Sequence, residues 1–489
     1  MAGGTWSTTD RPVLPGMYMN FQAAAIAAVQ PGARGVVALP VKAHWGPVKQ
    51  FVEITSLTGA DDMFTSDETG GATAYSALKL ALLGGARTVL AYRIADADAA
   101  KASCTLQDTA GTPENVVKLE AKYPGERGNR FKVTVQTNPV DASKKDIRLF
   151  EGTTLLKTFT FAAGTAQAAV DTVNQDPANK WIVATNLADG NGQLKDGSSF
   201  PFGGGDSGID GVAAGDYTNA LSACETQEFN LFALDGVSDS GIQASVVSWV
   251  NRVRSEGKPV IAVLGGSAAD DTGATAVSAA TSRSAVYNHE AVVNVGTGAV
   301  LDGVSYSSAQ LSAYVAGLIA GQKLSESTTY APAPFQDVTR RWTRSEQEQA
   351  AASGVFLFVH DGKRVKALRG VNSLTSLRQG QSNAWKKIRT IRVMDAIQSD
   401  LAGSAEAGYI GKVNNTAEGR LALIGAAKQY MQSLAQSGVI EAEGWDVYLN
   451  PQYYGPTAVF TPEPDQVYLN WEARLTDAME QIFGTFIVL

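Results

Sequence analysis

One interruption governs what this chain can fold into. From Gly35 to Ala95 apolar runs at Val36 to Leu39 and Phe51 to Ile54, a helical run from Tyr75 to Leu83 and a strand-like run from Arg87 to Ile94 follow in order, which is the grammar of alternating strands and helices. Near Ala97 that grammar stops. Short β-rich runs replace it (Val116 to Ala121, Phe131 to Thr137, Ile147 to Phe150, Leu155 to Phe161), separated by Pro-Gly, Asn and Gly, until about Phe200. Beyond Gly203-Gly204-Gly205 the first pattern resumes, with helices at Tyr217 to Cys224 and Ser240 to Ser255 and strands at Phe229 to Leu234, Pro259 to Leu264 and Ala291 to Val295. The pattern predicts a discontinuous α/β core domain, 23–96 and 204–345, with a β-sandwich domain inserted at 97–203.

Residues 1–22 carry Pro12, Pro15 and Gly16 ahead of an alternating piece from Met17 to Phe21, so they read as an extended arm. Ala331-Pro-Ala-Pro334 reads as a linker to a C-terminal α+β domain, 346–475. There Asp361-Gly362 sits between two apolar runs as a hairpin turn signal. Helices are expected from about Asn383 to Leu401 and from Thr416 to Ala435, the second with Leu421, Ile424, Ala427, Met431 and Leu434 on one face, Thr416 as its cap and Gly438 past its end. Val467 to Leu475 alternates like a half-buried strand. The last segment, 476–489, ends on Thr485-Phe486-Ile487-Val488-Leu489. Chain ends fray in water, so an apolar terminal strand requires a sheet to receive it, in the same subunit or in a neighbour.

Charge narrows the function classes. With 40 Lys and Arg against 48 Asp and Glu, the net charge is −8, and no global basic field draws the chain onto nucleic acid or anionic lipid. Nine basic residues and no acidic ones lie between Lys363 and Arg392, a local +9 that leaves −8 − 9 = −17 for the rest. An acidic protein surface, a plain solvated face and nucleic acid are the three readings of that segment; aromatic interleaving is limited to Trp385. Cys104 and Cys224 lie 120 positions apart without CxxC spacing, so neither a disulfide framework nor a zinc site is indicated. No run approaches a membrane span and the N-terminus has no signal-peptide pattern, so a soluble chain made in the cytoplasm, without membrane anchoring, is expected.

Motifs for catalysis are weak. The glycines from Gly203 to Gly208 lack the Lys-Ser/Thr of a phosphate loop, and Gly265-Gly266-Ser267 after a strand lacks GxGxxG. Neither Ser207 nor Ser267 sits in GxSxG. His44, His289 and His360 are isolated, and the doublets Asp61-Asp62 and Asp270-Asp271 read as solvated loops. No catalytic, metal or cofactor site is expected.

Pro15-Gly16-Met17-Tyr18, Trp45-Gly46-Pro47, Tyr123 to Asn129, Tyr314 to Gly321 and Tyr409 to Asn415, in this order along the chain, resemble the contractile tail sheath proteins, most closely the shorter sheaths of phages and phage-derived particles. The resemblance implies a non-enzymatic structural subunit, without cofactor, that polymerises as hexameric rings or a six-start helix around a tail tube. Extended, it stores energy; contracting, it drives the tube through a cell envelope. Implied partners are further copies, the tube protein, and baseplate and tail terminator proteins, with no direct nucleic acid contact, in a virion tail or phage-like particle assembled in the bacterial cytoplasm. The resemblance also implies that the arms add strands to neighbouring C-terminal domains, through Pro15, Gly16, Met17, Tyr18, Met19 and Phe21 at one end and Thr485 to Leu489 at the other. If the C-terminal domain lies nearest the tube, Lys386, Lys387, Arg389 and Arg392 are candidates to grip it. An α/β enzyme with a dinucleotide- or phosphate-type site, or a non-contractile shell protein, are the competing readings.

Overall fold

Val36–Val41, Thr88–Arg93, Ile261–Gly265 and Val292–Val295 are almost wholly buried apolar strands, the pattern of a parallel sheet covered on both faces. They belong to a seven-stranded sheet in the order Val355–Phe356, Val292–Val295, Ile261–Gly265, Leu231–Ala233, Val36–Val41, Thr88–Arg93, Phe51–Ile54. All neighbours run parallel except Phe51–Ile54, which pairs antiparallel to Thr88–Arg93. The chain enters at Val36–Val41 and builds outward on one side, then returns to build the other, so the sheet reverses its winding beside that first strand. The computed structural model describes residues 2–4, 16–18 and 34–487. It comprises two units, Ala33–Arg392 with Glu480–Leu489, and Met1–Gly32 with Val393–Met479.

Helix Ser308–Gly321 is buried along nearly its whole length and packs against Ala74–Gly84. Glycines permit the approach: a Cβ on Gly317 would lie 2.0 Å from the Ala81 carbonyl oxygen. The same helix is capped from outside its own segment. Asp271 Oδ2 accepts from the Ser308 amide at 2.5 Å and Oδ1 from the Ser308 hydroxyl at 2.6 Å. Asp271 is buried, so of the two doublets expected to be solvated only Asp61, Asp62 and Asp270 keep contact with water.

Between Ala100 and Asp206, which bridge each other, the chain forms two antiparallel sheets. Thr154–Ala162, Lys144–Glu151, Phe131–Thr137 and Gly197–Pro201 make one; Ile182–Asn186, Asn115–Ala121 and Ser103–Gln107 make the other. Alternation in Phe131–Thr137 places Phe131, Val133 and Val135 inward, against Val117, Leu119 and Leu149 and helix Ala166–Gln175.

The boundary expected at 345 does not fall there. Val355–Phe356 is the last parallel strand of the core sheet, and the hairpin Phe358–His360 with Val365–Ala367 turns at Asp361-Gly362 within the same unit. Ala331-Pro332-Ala333 is no free linker either. Pro332 bridges Lys366, and Ala333 N–H donates to the Val365 carbonyl, an edge position where a missing proline N–H costs nothing.

In the second unit Ala417–Gln436 is capped by Thr416, whose side chain accepts from Gly419 N–H, and Gly438 has φ +69° just past its end. Ile424, Ala427, Met431 and Leu434 are buried but Leu421 is exposed, so the apolar face is one turn shorter than its periodicity. Tyr430 Oη donates to Asp400 Oδ2 at 2.6 Å, tying this helix to the one before it. The terminal strand is Leu469–Glu472, paired antiparallel with Asp446–Leu449; it is shorter and more exposed than the alternation from Val467 to Leu475 predicts.

Candidate assembly elements

The residues around Trp45 and Tyr123 form a joint between the core sheet and the inserted sandwich. Arg93, the last residue of a core strand, is wholly buried. Its Nη1 donates to the Gly46 and Pro124 carbonyls at 2.7 and 2.8 Å and its Nη2 to the Ser207 carbonyl at 3.0 Å. One guanidinium thus holds the core loop, the sandwich loop between Asn115–Ala121 and Phe131–Thr137, and the returning chain. Burial pulls its pKa down to about 10, so it stays charged at neutral pH. Trp45 packs edge-on against Tyr123 and Phe131, at 5.3 and 5.4 Å between ring centroids. His44 completes the joint with Nδ1 2.7 Å from Ser207 Oγ and Nε2 2.8 Å from the Thr69 carbonyl. Gly125, at φ +142°, has no room for a side chain: a Cβ would lie 1.8 Å from the His44 carbonyl oxygen.

In open α/β sheets ligands bind beyond the strand C-termini where the winding reverses. Here the chain's own groups fill that place. Asp235 Oδ1 accepts from Tyr217 Oη at 2.9 Å and Oδ2 from Thr73 Oγ1 at 2.7 Å, with Lys42 Nζ 3.9 Å away. The glycines after Ile261–Gly265 are likewise occupied: a Cβ on Gly265 would meet the Ser308 backbone at 2.2 Å and one on Gly266 the Arg283 guanidinium at 2.3 Å. Ser267 caps the helix that follows. Asn129 clasps Gly205, donating to its carbonyl and accepting from its N–H, both at 2.8 Å. These glycines serve close packing and chain crossing.

The basic segment lies in the core unit, not in the C-terminal one, which alters its expected role. Arg389 and Arg392 are buried. Arg389 Nε donates to the Leu324 carbonyl at 3.1 Å and Arg392 Nη2 to the Gln322 carbonyl at 2.7 Å, where they satisfy carbonyls just past helix Ser308–Gly321. In these positions their guanidinium groups are turned to this chain's own backbone. Lys387 lies 3.5 Å from Glu480, and Lys386 is half-buried at the end of the turn Asn383–Lys386, before the long helix Ile388–Gly408 begins.

Of the arm residues, Gly16, Met17 and Tyr18 form a short strand pairing in parallel with Ala2–Gly4; Pro15, Met19, Phe21, Val488 and Leu489 lie outside the described residues. Thr485, Phe486 and Ile487 join no sheet among the described residues, and Phe486 is 89% exposed. Sequence reasoning passed over Arg93, Asp235 and Glu480. Arg93 and Asp235 are marked in sequence only as single charges at the ends of apolar runs, in Thr88–Arg93 and in Phe229 to Asp235, and Glu480 carries no such mark.

Successive parts of the chain match family models in order. Residues 34–94 match the N-terminal region of domain III of the tail sheath protein Gp18, 95–207 the phage tail sheath β-sandwich domain, 210–373 the phage tail sheath central domain and 380–488 the phage tail sheath C-terminal domain. The phage-like element PBSX protein XkdK of Bacillus subtilis (strain 168) is 26% identical over 471 residues, 90% of this chain and 91% of that protein. The sheath tail protein Lin1278 from Listeria innocua superposes with a TM-score of 0.68 at 27% identity, over 87% of this chain and 91% of that one. The contracted helical sheath protein of the anti-feeding prophage has the same fold at 14% identity, with a TM-score of 0.54 over 98% of this chain and 99% of that one.

Proposed function

From the premise that this chain belongs to the phage tail sheath family, we propose that it is the repeating subunit of a contractile sheath, which polymerises around a tail tube and shortens to drive that tube through a target envelope. The four family matches, consecutive and in order from residue 34 to 488, carry this reading. A lower-energy packing of the same subunits supplies the work, so no catalytic group or cofactor takes part. The charged and glycine-rich places where an α/β enzyme would bind a ligand are filled by Asp235, Arg283 and Ser308.

The C-terminal arm supports strand donation between copies. Phe483, Phe486 and Ile487 are 90%, 89% and 74% exposed, a run of apolar side chains that water disfavours and a neighbour's sheet edge would cover. Further partners in this reading are the tube, a baseplate and a terminator, in a phage tail or phage-like particle. Negative-stain microscopy of the purified chain tests it: striated tubes are expected. Deleting Gly484 to Leu489 should leave a folded subunit that forms none. Monodisperse protein stabilised by a nucleotide would favour the enzyme reading, and closed shells the non-contractile one.

A further inference from the structure

The exposed apolar tail begins immediately after a buried acid. Glu480 is the last residue before it, and its side chain is only 8% exposed. Its Oε1 accepts from Thr329 Oγ1 at 2.8 Å, while its Oε2 faces Arg369 Nε at 3.2 Å and Lys387 Nζ at 3.5 Å. Thr329 is itself oriented, since its Oγ1 accepts from Gly370 N–H at 2.9 Å and so turns its proton to the carboxylate. Two cations and a directed hydroxyl around one acid make a specific socket, and a sheltered pair of this kind is screened less by salt than a surface pair. Gln481 still lies along the same wall, beside Tyr330 and Leu368. Two residues later the tail is free of the subunit, with Phe483 90% exposed.

We propose that the Arg369, Lys387 and Thr329 socket holds Glu480 of its own chain in the assembled state and is the pivot from which the donated segment departs. This rests on the strand-donation reading above and fixes what that reading leaves open, namely where a subunit ends and its arm begins. Only Ile482 to Leu489 are handed to a neighbour. Eight extended residues span at most about 28 Å, so the receiving sheet edge lies within that distance of the socket. The basic segment thereby has a partner of the chemistry its charge calls for, an acidic group belonging to this chain. A pivot held by charge lets the arm swing when subunits rotate, without letting go of its own subunit.

Charge reversal with mixing tests this. Glu480→Lys, and Arg369→Glu combined with Lys387→Glu, should each leave the thermal melt near the wild type but slow tube formation at least tenfold. Glu480→Gln should slow it less. All three reversals in one chain should restore tubes, while an equimolar mixture of the two defective proteins should not, because each subunit must match its own socket. Restoration by the mixture would overturn the proposal, since the socket would then take a neighbour's Glu480. So would wild-type assembly by Glu480→Lys. Wild type that forms no tubes would instead sink the sheath reading; wild-type tubes, lost on deleting Gly484 to Leu489 yet kept by Glu480→Lys, would sink this inference alone.

Discussion

Arg93 Nη2 donates to the Ser207 carbonyl at 3.0 Å, joining the last residue of a core strand to the chain as it returns from a sandwich more than a hundred residues long. The same guanidinium holds Pro124, in the sandwich loop that follows strand Asn115–Ala121. A body that must rotate as a unit within a polymer needs its two parts locked, and Arg93 is the charged part of that lock, beside the apolar contact of Trp45. Arg93→Met keeps the apolar stem and removes every donor, leaving three carbonyls to find other partners. At about 1–3 kcal/mol for a buried polar group left unsatisfied, a total loss on the order of 3–5 kcal/mol is expected in urea melts. Trypsin should also cut sooner at Lys122 and Arg127, which flank the joint. Unchanged stability and cleavage would show that the lock lies elsewhere.

Asp235 is held above the ordinary carboxylate pKa, chiefly by burial, against the opposing pull of Lys42, Thr73 and Tyr217. A raised folded-state value gives a definite sign. The group's contribution to stability is fully present below its unfolded value of 3.8 and is lost as pH rises through the higher folded value. Asn at this position has no proton to lose. The melting temperature of Asp235→Asn minus that of the wild type should therefore increase from pH 4 to pH 7. A difference that falls with pH would mean that pairing with Lys42 outweighs burial.

Arg392 separates two roles for the basic segment. Burial lowers its pKa to about 10, and its Nη2 bonds the Gln322 carbonyl beyond helix Ser308–Gly321. Arg392→Ala should thus destabilise the subunit itself by about 2–3 kcal/mol, in 0.1 M and 1 M salt alike, because a buried contact is screened little. A stable variant with a salt-dependent assembly defect would return Arg392 to the surface role its charge first implies.

The alternation of apolar runs made the sheet legible, because strands such as Val36–Val41 and Ile261–Gly265 are buried on both faces and show it as unbroken hydrophobic sequence. The interruption near Ala97 was legible for a similar reason, since Phe131–Thr137 alternates with a period of two. Charge was less informative. A run of Lys and Arg looks the same whether it meets solvent, a partner or its own backbone, and only the fold reveals that Arg389 and Arg392 satisfy carbonyls some seventy positions earlier. Val355–Phe356 opens the apolar run that leads into the Asp361-Gly362 hairpin, so in sequence it reads as part of that hairpin, and only the fold shows it completing the core sheet. Glu480 has no local signature at all, since its partners come from Thr329, Arg369 and Lys387.

Close chain crossings invite removal of the sandwich as a unit, for Ala100 N–H donates to the Asp206 carbonyl at 3.0 Å and Asp206 N–H returns the bond at 2.9 Å. Ends this close can be joined by a short Gly-Gly bridge. Trp45 complicates the cut. It belongs to the core loop, yet its indole is 2% exposed and packs within the sandwich core against Phe131. Deleting residues 101–205 alone strands that ring in water; with 150–250 Å² at roughly 25 cal/mol per Å², its exposure costs on the order of 4–6 kcal/mol and provides a sticky patch. The simple deletion should therefore aggregate, whereas the same deletion with Trp45→Ser should give soluble protein with a cooperative melt that still forms tubes. Light scattering and microscopy of the two proteins side by side decide it. Equal behaviour of both, whether soluble or unfolded, would show that Trp45 is not what couples the sandwich to the core.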